Sequence, residues 1–195
     1  KGKPLIFWSI EAALKSQKIK KVFVSSDDKK ILKVASQFGA ETILRPKNLA
    51  TDFSSSESGW LHAAKEIEKS INFDSIVALQ ATSPIRLKTD IDKAIKKFEI
   101  EKADSLFSSY KTFDTNLWEV KNNILKANYN YLNRKPRQKN NPKYLENGSF
   151  YIFDKKKFLK KKNRLFGKKI FYEKNLKCSF QLDSYEDLEI IKKII

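Results

Sequence analysis

The sequence predicts an α/β fold. Strand-like and helix-like segments alternate through the first half, short strands crowd the second half, and the strongest strand is a continuous apolar run. Alternation of this kind builds an open, mostly parallel central sheet with helices on its faces. The run Ser75-Ile76-Val77-Ala78-Leu79, bounded by turn residues, reads as a central parallel strand buried on both faces. The strand-rich second half implies added antiparallel strands.

Each element has its own signal. Leu5, Ile6, Ile10, Ala13 and Leu14 keep helical spacing. Val22-Phe23-Val24 is a short strand ending at Ser25-Ser26-Asp27-Asp28. Asp27 or Asp28 can cap the next helix, roughly 28–38, which closes at Gly39. Thr42-Ile43-Leu44 is a strand, residues 45–56 read as a polar loop, and a helix follows from about Ser56 to Ser70. After the strand at 75–79 comes a helix over about 89–99, with Asp90 at its positive end. Leu106-Phe107-Ser108, Leu117-Trp118-Glu119-Val120, Phe150-Tyr151-Ile152-Phe153, Ile170-Phe171-Tyr172 and Ser179-Phe180-Gln181-Leu182 read as strands. Residues 128–146 are aromatic, basic and Pro-containing, and read as a long loop. The last helix starts after Asp183-Ser184.

Composition narrows the class. A chain of 195 residues, 41% hydrophobic and 12% aromatic, supports one domain, 1–195, with a real core. No run of 18 apolar residues suggests a membrane span. The lone Cys178 cannot form an internal disulfide, which fits a reducing cytoplasm, and it reads as a small buried hydrophobe. The net charge of +17 has two readings: attraction of polyanions, or lysines spread over solvated faces. Only 155–157 and 160–162 form a dense cluster and no nucleic-acid motif appears, which favours the second. His62, the sole histidine, sits among Trp60, Leu61 and Ala63 and carries no catalytic expectation. The chain contains no methionine and enters a helix almost at once, so a preceding strand and loop are expected.

In open α/β sheets, ligands bind beyond the carboxyl ends of the strands. Ser25-Ser26-Asp27-Asp28, Arg45, residues 80–86 and Gln181-Leu182-Asp183 fall there. Such a cleft suits an anionic ligand and a divalent cation.

The residues in it carry a resemblance. Gly2-Lys3-Pro4-Leu5-Ile6, Val24-Ser25-Ser26-Asp27-Asp28, Arg45-Pro46 with Leu49-Ala50-Thr51-Asp52, Leu79-Gln80-Ala81-Thr82-Ser83-Pro84-Ile85-Arg86, Pro136-Arg137-Gln138 and Glu146-Asn147-Gly148-Ser149-Phe150-Tyr151-Ile152 occur in that order. The chain resembles the acylneuraminate cytidylyltransferases, the CMP-sialic acid synthetases and their bacterial relatives for legionaminic and pseudaminic acids. The resemblance spans nearly the whole chain. It implies a Rossmann-like nucleotidyltransferase (GT-A-like) domain and a homodimer, with a strand-rich dimerisation extension within 128–172. It further implies transfer of CMP from CTP to a nine-carbon 2-keto sugar acid, with Mg²⁺ as cofactor, in the cytoplasm, and with no membrane or specific nucleic-acid partner. By the match, Arg45, Ser56 and Ser83 contact the nucleotide, and Gln80 lies between nucleotide and sugar. Arg137 pairs with a carboxylate or phosphate, Asn147 and Tyr151 face the sugar acid, and Asp183 is the metal ligand. Gln80, Arg137 and Asp183 form the catalytic set. Plainer roles stay open: Tyr151 suits core packing, Asp183-Ser184 suits a helix cap, and Arg137 suits a solvated basic stretch.

The chain departs from the family pattern in several places. The glycine-rich basic phosphate loop that opens family members is absent from these residues. The family's Asp-Ile-Asp reads Gln181-Leu182-Asp183, which removes one negative charge from the metal site. Leu145 stands where some sialate-activating members carry arginine, and Ala81 replaces a proline. These departures leave a second reading, a non-catalytic nucleotide- or sugar-binding relative. A third, weaker one is a basic nucleic-acid-binding domain.

Overall fold

The computed structural model describes residues 2–113 and 115–194. In chain order the elements are α1 (Leu5–Leu14), β1 (Phe23–Ser26), α2 (Lys29–Gln37), β2 (Glu41–Leu44), α3 (Ser56–Glu68), β3 (Ser75–Leu79), α4 (Asp90–Ile100), β4 (Ser105–Thr112), β5 (Trp118–Lys121), β6 (Ile124–Ala127), β7 (Lys143–Asp154), α5 (Lys155–Lys161), β8 (Lys169–Glu173) and α6 (Tyr185–Ile194). Short 3₁₀ turns lie at Lys47–Leu49, Tyr131–Asn133, Arg137–Lys139 and Leu176–Cys178.

Local chemistry fixes the helix ends. The Asp28 carboxylate accepts from Lys30 N at 2.6 Å and starts α2, and Gly39 with φ +89° takes the chain out of it. Ser55 caps α3 by accepting from Ser58 N at 3.2 Å. Asp154 caps α5, accepting from Lys157 N at 2.8 Å. At α6 the cap is reciprocal: Ser184 Oγ accepts from Asp187 N at 3.2 Å, and Asp187 Oδ2 accepts from Ser184 N at 2.8 Å.

Four strands form the central sheet in the order β3-β7-β4-β8. β7 runs antiparallel to both β3 and β4, and β4 pairs parallel with β8, so three of the four strands share one direction. β1 and β2 pair in parallel as a second sheet, and β5 and β6 form an antiparallel hairpin. Side chains of the central sheet alternate strictly between two cores. Val77, Leu79, Leu106, Phe150 and Ile152 pack under α4 with Ile91, Ala94 and Ile95. Ile76, Ala78, Phe107, Tyr151 and Phe153 pack on the other face with Trp60, Phe158 and Phe166. A third cluster, around Ile10, Ala35 and Ala40, seals α1 and α2 against β1.

Several sequence expectations need correction. β3 is the edge of the four-stranded sheet and pairs with an antiparallel neighbour, where a central parallel strand was expected. Residues 179–182 are not a strand, because their polar groups are taken elsewhere: Ser179 Oγ accepts from Asn147 Nδ2 at 3.0 Å, and Leu182 N donates to Thr82 O at 2.7 Å. β7 begins at Lys143, inside the expected loop 128–146. Residues 116–146 are almost all exposed, whereas 147–153 are buried, so of the range 128–172 within which the extension was expected it is the part before Asn147 that leaves the core.

Phe158 is fully buried, with its ring 4.3 Å from that of Phe153. Phe158→Ala is expected to cost about 3–5 kcal/mol in a urea unfolding titration, the usual loss for a buried Phe whose cavity cannot close. A loss below about 1 kcal/mol would mean that α5 does not seal this core.

Candidate active site

β1, β2, β3 and β8 each run into polar residues, and the segments that follow β2 and β3 supply candidate site residues. β2 runs into Arg45, whose N–H donates to Ser26 O at 2.9 Å. Its guanidinium donates to Ser25 O at 2.6 Å and to Ser25 Oγ at 3.2 Å. It lies flat against Gly59 of α3, where an added Cβ would stand 3.0 Å from Arg45 Cζ. Among the described residues Arg45 has no ion pair, so its charge is held in place without being neutralised.

Arg164 shows the contrast. It donates to both Glu57 oxygens, at 2.6 and 2.9 Å, and lies 4.7 Å from the rings of Trp60 and Tyr151. The bidentate bond holds the Glu57 carboxyl below its usual range and raises Arg164 further. Its charge is already matched, so it is a poor candidate for holding an anion.

The loop after β3 is fastened from below. Arg86 turns back and donates to Gln80 O at 2.8 Å, Ser149 O at 2.6 Å and Ser9 Oγ at 2.9 Å. Burial pushes this arginine down to about 10, with Asp90 opposing the shift. From the other side Thr82 O accepts from Leu182 N. The loop is thereby tied to β7 and to the 179–183 segment together.

These ties bring two amides to one point. Gly148 on β7 has φ +62°, and a Cβ there would collide with Gln80 Oε1 and stand 2.9 Å from Gln181 Oε1. With both carboxamide oxygens where they stand there is no room for a Cβ, and the left-handed φ favours glycine as well. Asp183 follows two residues later and is exposed. Ser184 and Asp187 form the α6 cap, and among the described residues nothing engages the Asp183 carboxylate.

The expected site residues do not all meet in one place. Gln80, Gln181 and, through the chain, Asp183 come together around Gly148; Arg45 lies at the end of β2 in the separate β1–β2 sheet, against Ser25 and Gly59. Ser56 is exposed at the start of α3. Ser83, Asn147 and Tyr151 point inward, contrary to the ligand contacts expected of them. Ser83 is 2% exposed, and its hydroxyl donates to Asn147 O at 3.3 Å. Asn147 is 1% exposed; its Oδ1 accepts from Ser108 Oγ at 2.6 Å, and its Nδ2 donates to Ser179 Oγ. Tyr151 packs against Trp60 and donates to Glu146; burial pushes its hydroxyl up to about 12, and Glu146 adds to the shift. These three shape the site from beneath.

Arg137 stands apart. It lies over Phe113, 5.7 Å from the ring centroid, on the 115–142 excursion. There it lines an open cavity of about 640 Å³ with Phe113, Leu117, Arg134, Lys135 and Asn140. The excursion rejoins β7 at Lys143, five residues from Gly148, or about 16 Å along a strand.

A divalent cation finds a limited donor set here. Among the described residues no three His, Cys, Asp or Glu side chains gather in one place. One free carboxylate, Asp183, with the Gln181 amide oxygen nearby in sequence, suits a hydrated Mg²⁺ that takes its other ligands from phosphates; it does not suit an all-protein cage. No helix among the described residues is long and apolar enough to cross a membrane.

Arg86 and Gly148 were visible only as members of motifs. Their roles depend on partners 63 residues away for Arg86 and on two side chains from different loops for Gly148. The available signal was a glycine two residues before the apolar run Phe150-Tyr151-Ile152-Phe153.

Comparison with known proteins agrees with this architecture. A family profile described as Cytidylyltransferase matches residues 1–194. The chain is 39% identical over 97 residues to N-acylneuraminate cytidylyltransferase of Escherichia coli, which covers 50% of this chain and 22% of that protein. It is 32% identical over 176 residues to CMP-N,N'-diacetyllegionaminic acid synthase of Legionella pneumophila, covering 83% and 72% of the two. It spans less than half the length of the first curated relatives it matches, 22% and 47%. A CMP:2-keto-3-deoxy-manno-octonic acid synthetase solved in complex with CTP superposes with a TM-score of 0.68 at 15% identity, over 99% of this chain and 88% of that one. At that identity the likeness establishes the fold alone, the α/β architecture expected from the sequence. The chain therefore belongs to the cytidylyltransferase family.

Proposed function

We propose that this chain transfers CMP from CTP to a nonulosonic, sialic-type acid and releases pyrophosphate. The observation that carries the reading is the meeting of the Gln80 and Gln181 amides over Gly148, with the free carboxylate of Asp183 two residues after Gln181; Arg45, at the end of β2, adds a guanidinium that has no ion pair among the described residues.

The anomeric hydroxyl of the sugar acid attacks the α-phosphorus in line. The new O–P bond forms as the bond to the β-phosphate bridge breaks, pyrophosphate leaves with the electron pair, and the hydroxyl proton passes to solvent. No covalent enzyme intermediate is needed. Alignment and charge neutralisation carry the catalysis. Arg45 takes phosphate or ribose oxygens. Gln80 donates and accepts at the junction of nucleotide and sugar. Asp183 would hold Mg²⁺, which when bound neutralises charge on the reacting phosphates.

Arg137 fits this scheme through a homodimer. Its excursion exposes Leu117, Val120, Ile124, Leu125 and Leu132 at 63% to 85%, more apolar surface than an isolated hairpin sustains well in water. Docked on a second copy, the excursion covers those residues and carries Arg137 toward that copy's site, where its planar fork suits a carboxylate. The setting proposed is cytoplasmic.

Pyrophosphate release, followed with CTP and sialic, legionaminic or pseudaminic acid, is expected to require both substrates. CTP binding without release from any of the three acids would favour the binding-only relative. Gly148→Ala is expected to weaken CTP binding more than tenfold while costing only about 1–2 kcal/mol of stability, the penalty for a left-handed non-glycine residue. Calorimetric titration beside thermal unfolding separates the two effects. Gln181→Asp is expected to lower the Mg²⁺ concentration needed for half-maximal turnover; an unchanged requirement would remove residue 181 from the metal shell.

A further inference from the structure

Lys174 follows β8 and is buried, with a side-chain exposure of 0%. Its ammonium donates to Cys178 O at 2.7 Å, Ser149 Oγ at 2.8 Å and Ile85 O at 2.9 Å. The three acceptors belong to three segments: the turn leading to Gln181 and Asp183, β7 one residue past Gly148, and the 80–86 loop. These are the segments that bring Gln80, Gly148 and Gln181 together. The Lys174 backbone is fixed too, its N–H donating to Ser109 O at 2.7 Å.

A fully buried lysine is rare and needs compensation for lost hydration. The compensation here is incomplete. Asp90 of α4 stands 4.0 Å from Lys174 Nζ and accepts from the Tyr172 hydroxyl of β8 at 3.3 Å and from Leu87 N at 2.9 Å. Arg86 shares that carboxylate's field. Two cations therefore face one anion. The Cys178 thiol is the remaining titratable group against the lysine. Simple packing would be served as well by a neutral side chain of similar length, so a charged group here calls for a reason.

We propose that Lys174 is a positioning residue: it clamps the 80–86 loop, β7 and the 176–183 segment, and thereby sets the spacing of Gln80 and Gln181 over Gly148.

The clamp depends on a proton. An ammonium has three N–H donors for its three acceptors; a neutral amine has two, so losing the proton releases one tie. Burial pushes Lys174 down to about 8, with Arg86 adding to the shift and Asp90 opposing it. Its neighbours titrate higher than it does: burial raises the Cys178 thiol, pushes the Tyr172 hydroxyl up to about 12 and leaves the Arg86 guanidinium at about 10. In the unfolded chain the lysine titrates near 10.4. Between about 8 and the unfolded value the native state binds fewer protons, so this group's contribution to stability rises with pH while the clamp loosens. Site geometry and global stability move in opposite directions, which a merely structural lysine would not produce.

Hydrogen exchange read by mass spectrometry on the full chain tests the clamp without any ligand. At neutral pH, Lys174→Met is expected to speed exchange roughly threefold or more in 80–86, 147–150 and 176–183, with an unchanged or higher melting temperature. Wild-type rates in those segments, or a rise matched throughout α2 and β1 with a lower melting temperature, would overturn the proposal. If the variant does not fold, the wild-type chain supplies the readout: exchange in the three segments, corrected for intrinsic rates and referred to β4, is expected to rise between neutral pH and about pH 9. A constant ratio there would equally overturn it.

A binding arm rests on the cytidylyltransferase reading and uses CTP. Wild-type affinity is expected to fall about threefold or more over the same pH interval, and Lys174→Met is expected to bind weakly with no such slope. Equal affinity and equal slope in the two proteins would sink the positioning role. If neither protein binds CTP while the exchange pattern appears, the clamp stands and the nucleotide reading fails.

Discussion

β7 is hydrogen-bonded along both edges and buries side chains on both faces. That double enclosure is the constraint on which the rest of the structure depends. A slip of one residue would exchange Phe150 and Ile152 with Tyr151 and Phe153 and place each in the wrong core. The register is therefore held by several aromatic side chains together. The same register decides which residue of β7 passes beneath the Gln80 and Gln181 amides, and it delivers Gly148. Core packing and site geometry are set by one alignment.

Charge is used in two different ways. The excess of basic residues behind the +17 net charge lies largely on solvated faces, where salt screens it. The buried charges act at short range and are mostly spent on architecture. Arg86 holds two backbone carbonyls, and Glu57 and Arg164 neutralise each other beside Trp60. Arg45 differs because its partners at Ser25 are neutral. A guanidinium fixed by uncharged groups keeps its full attraction for a phosphate and loses little conformational freedom when it binds one.

Much of this was legible in the chain, and the unread parts share a physical cause. Caps at Asp28 and near Asp183, the helices they start and the apolar run of β3 rest on local chemistry, and the structure contains them. The β5–β6 hairpin was passed over although its turn was written in Asn122-Asn123, whose φ values of +51° and +59° are those asparagine tolerates. β3 as an edge strand could not be read, because its apolar run reports burial and says nothing of how many neighbours it pairs with. Lys174 and Arg86 were unreadable for a different reason. A charged residue reads as solvated by default, and it takes contacts as distant as 63 positions for Arg86 and 89 for Lys174 to reverse that. Asn147 misled in the opposite direction: a polar residue in a family motif suggested a ligand, whereas its amide completes an internal network.

The neutral amide at Gln181 has a physical logic of its own on the cytidylyltransferase reading. Both substrates are anions, a triphosphate and a sugar carboxylate, and they must approach each other within the site. A second carboxylate at 181 would strengthen the hold on a cation but would repel both substrates wherever the cation does not stand between them. An amide offers an acceptor to the metal or a donor to an oxygen without adding charge. With Ser184 and Asp187 making the α6 cap, Asp183 remains the unspent carboxylate, and any metal bound there must take its remaining ligands from water and the nucleotide. Cation and nucleotide then bind most tightly together, because each supplies ligands or charge that the other lacks.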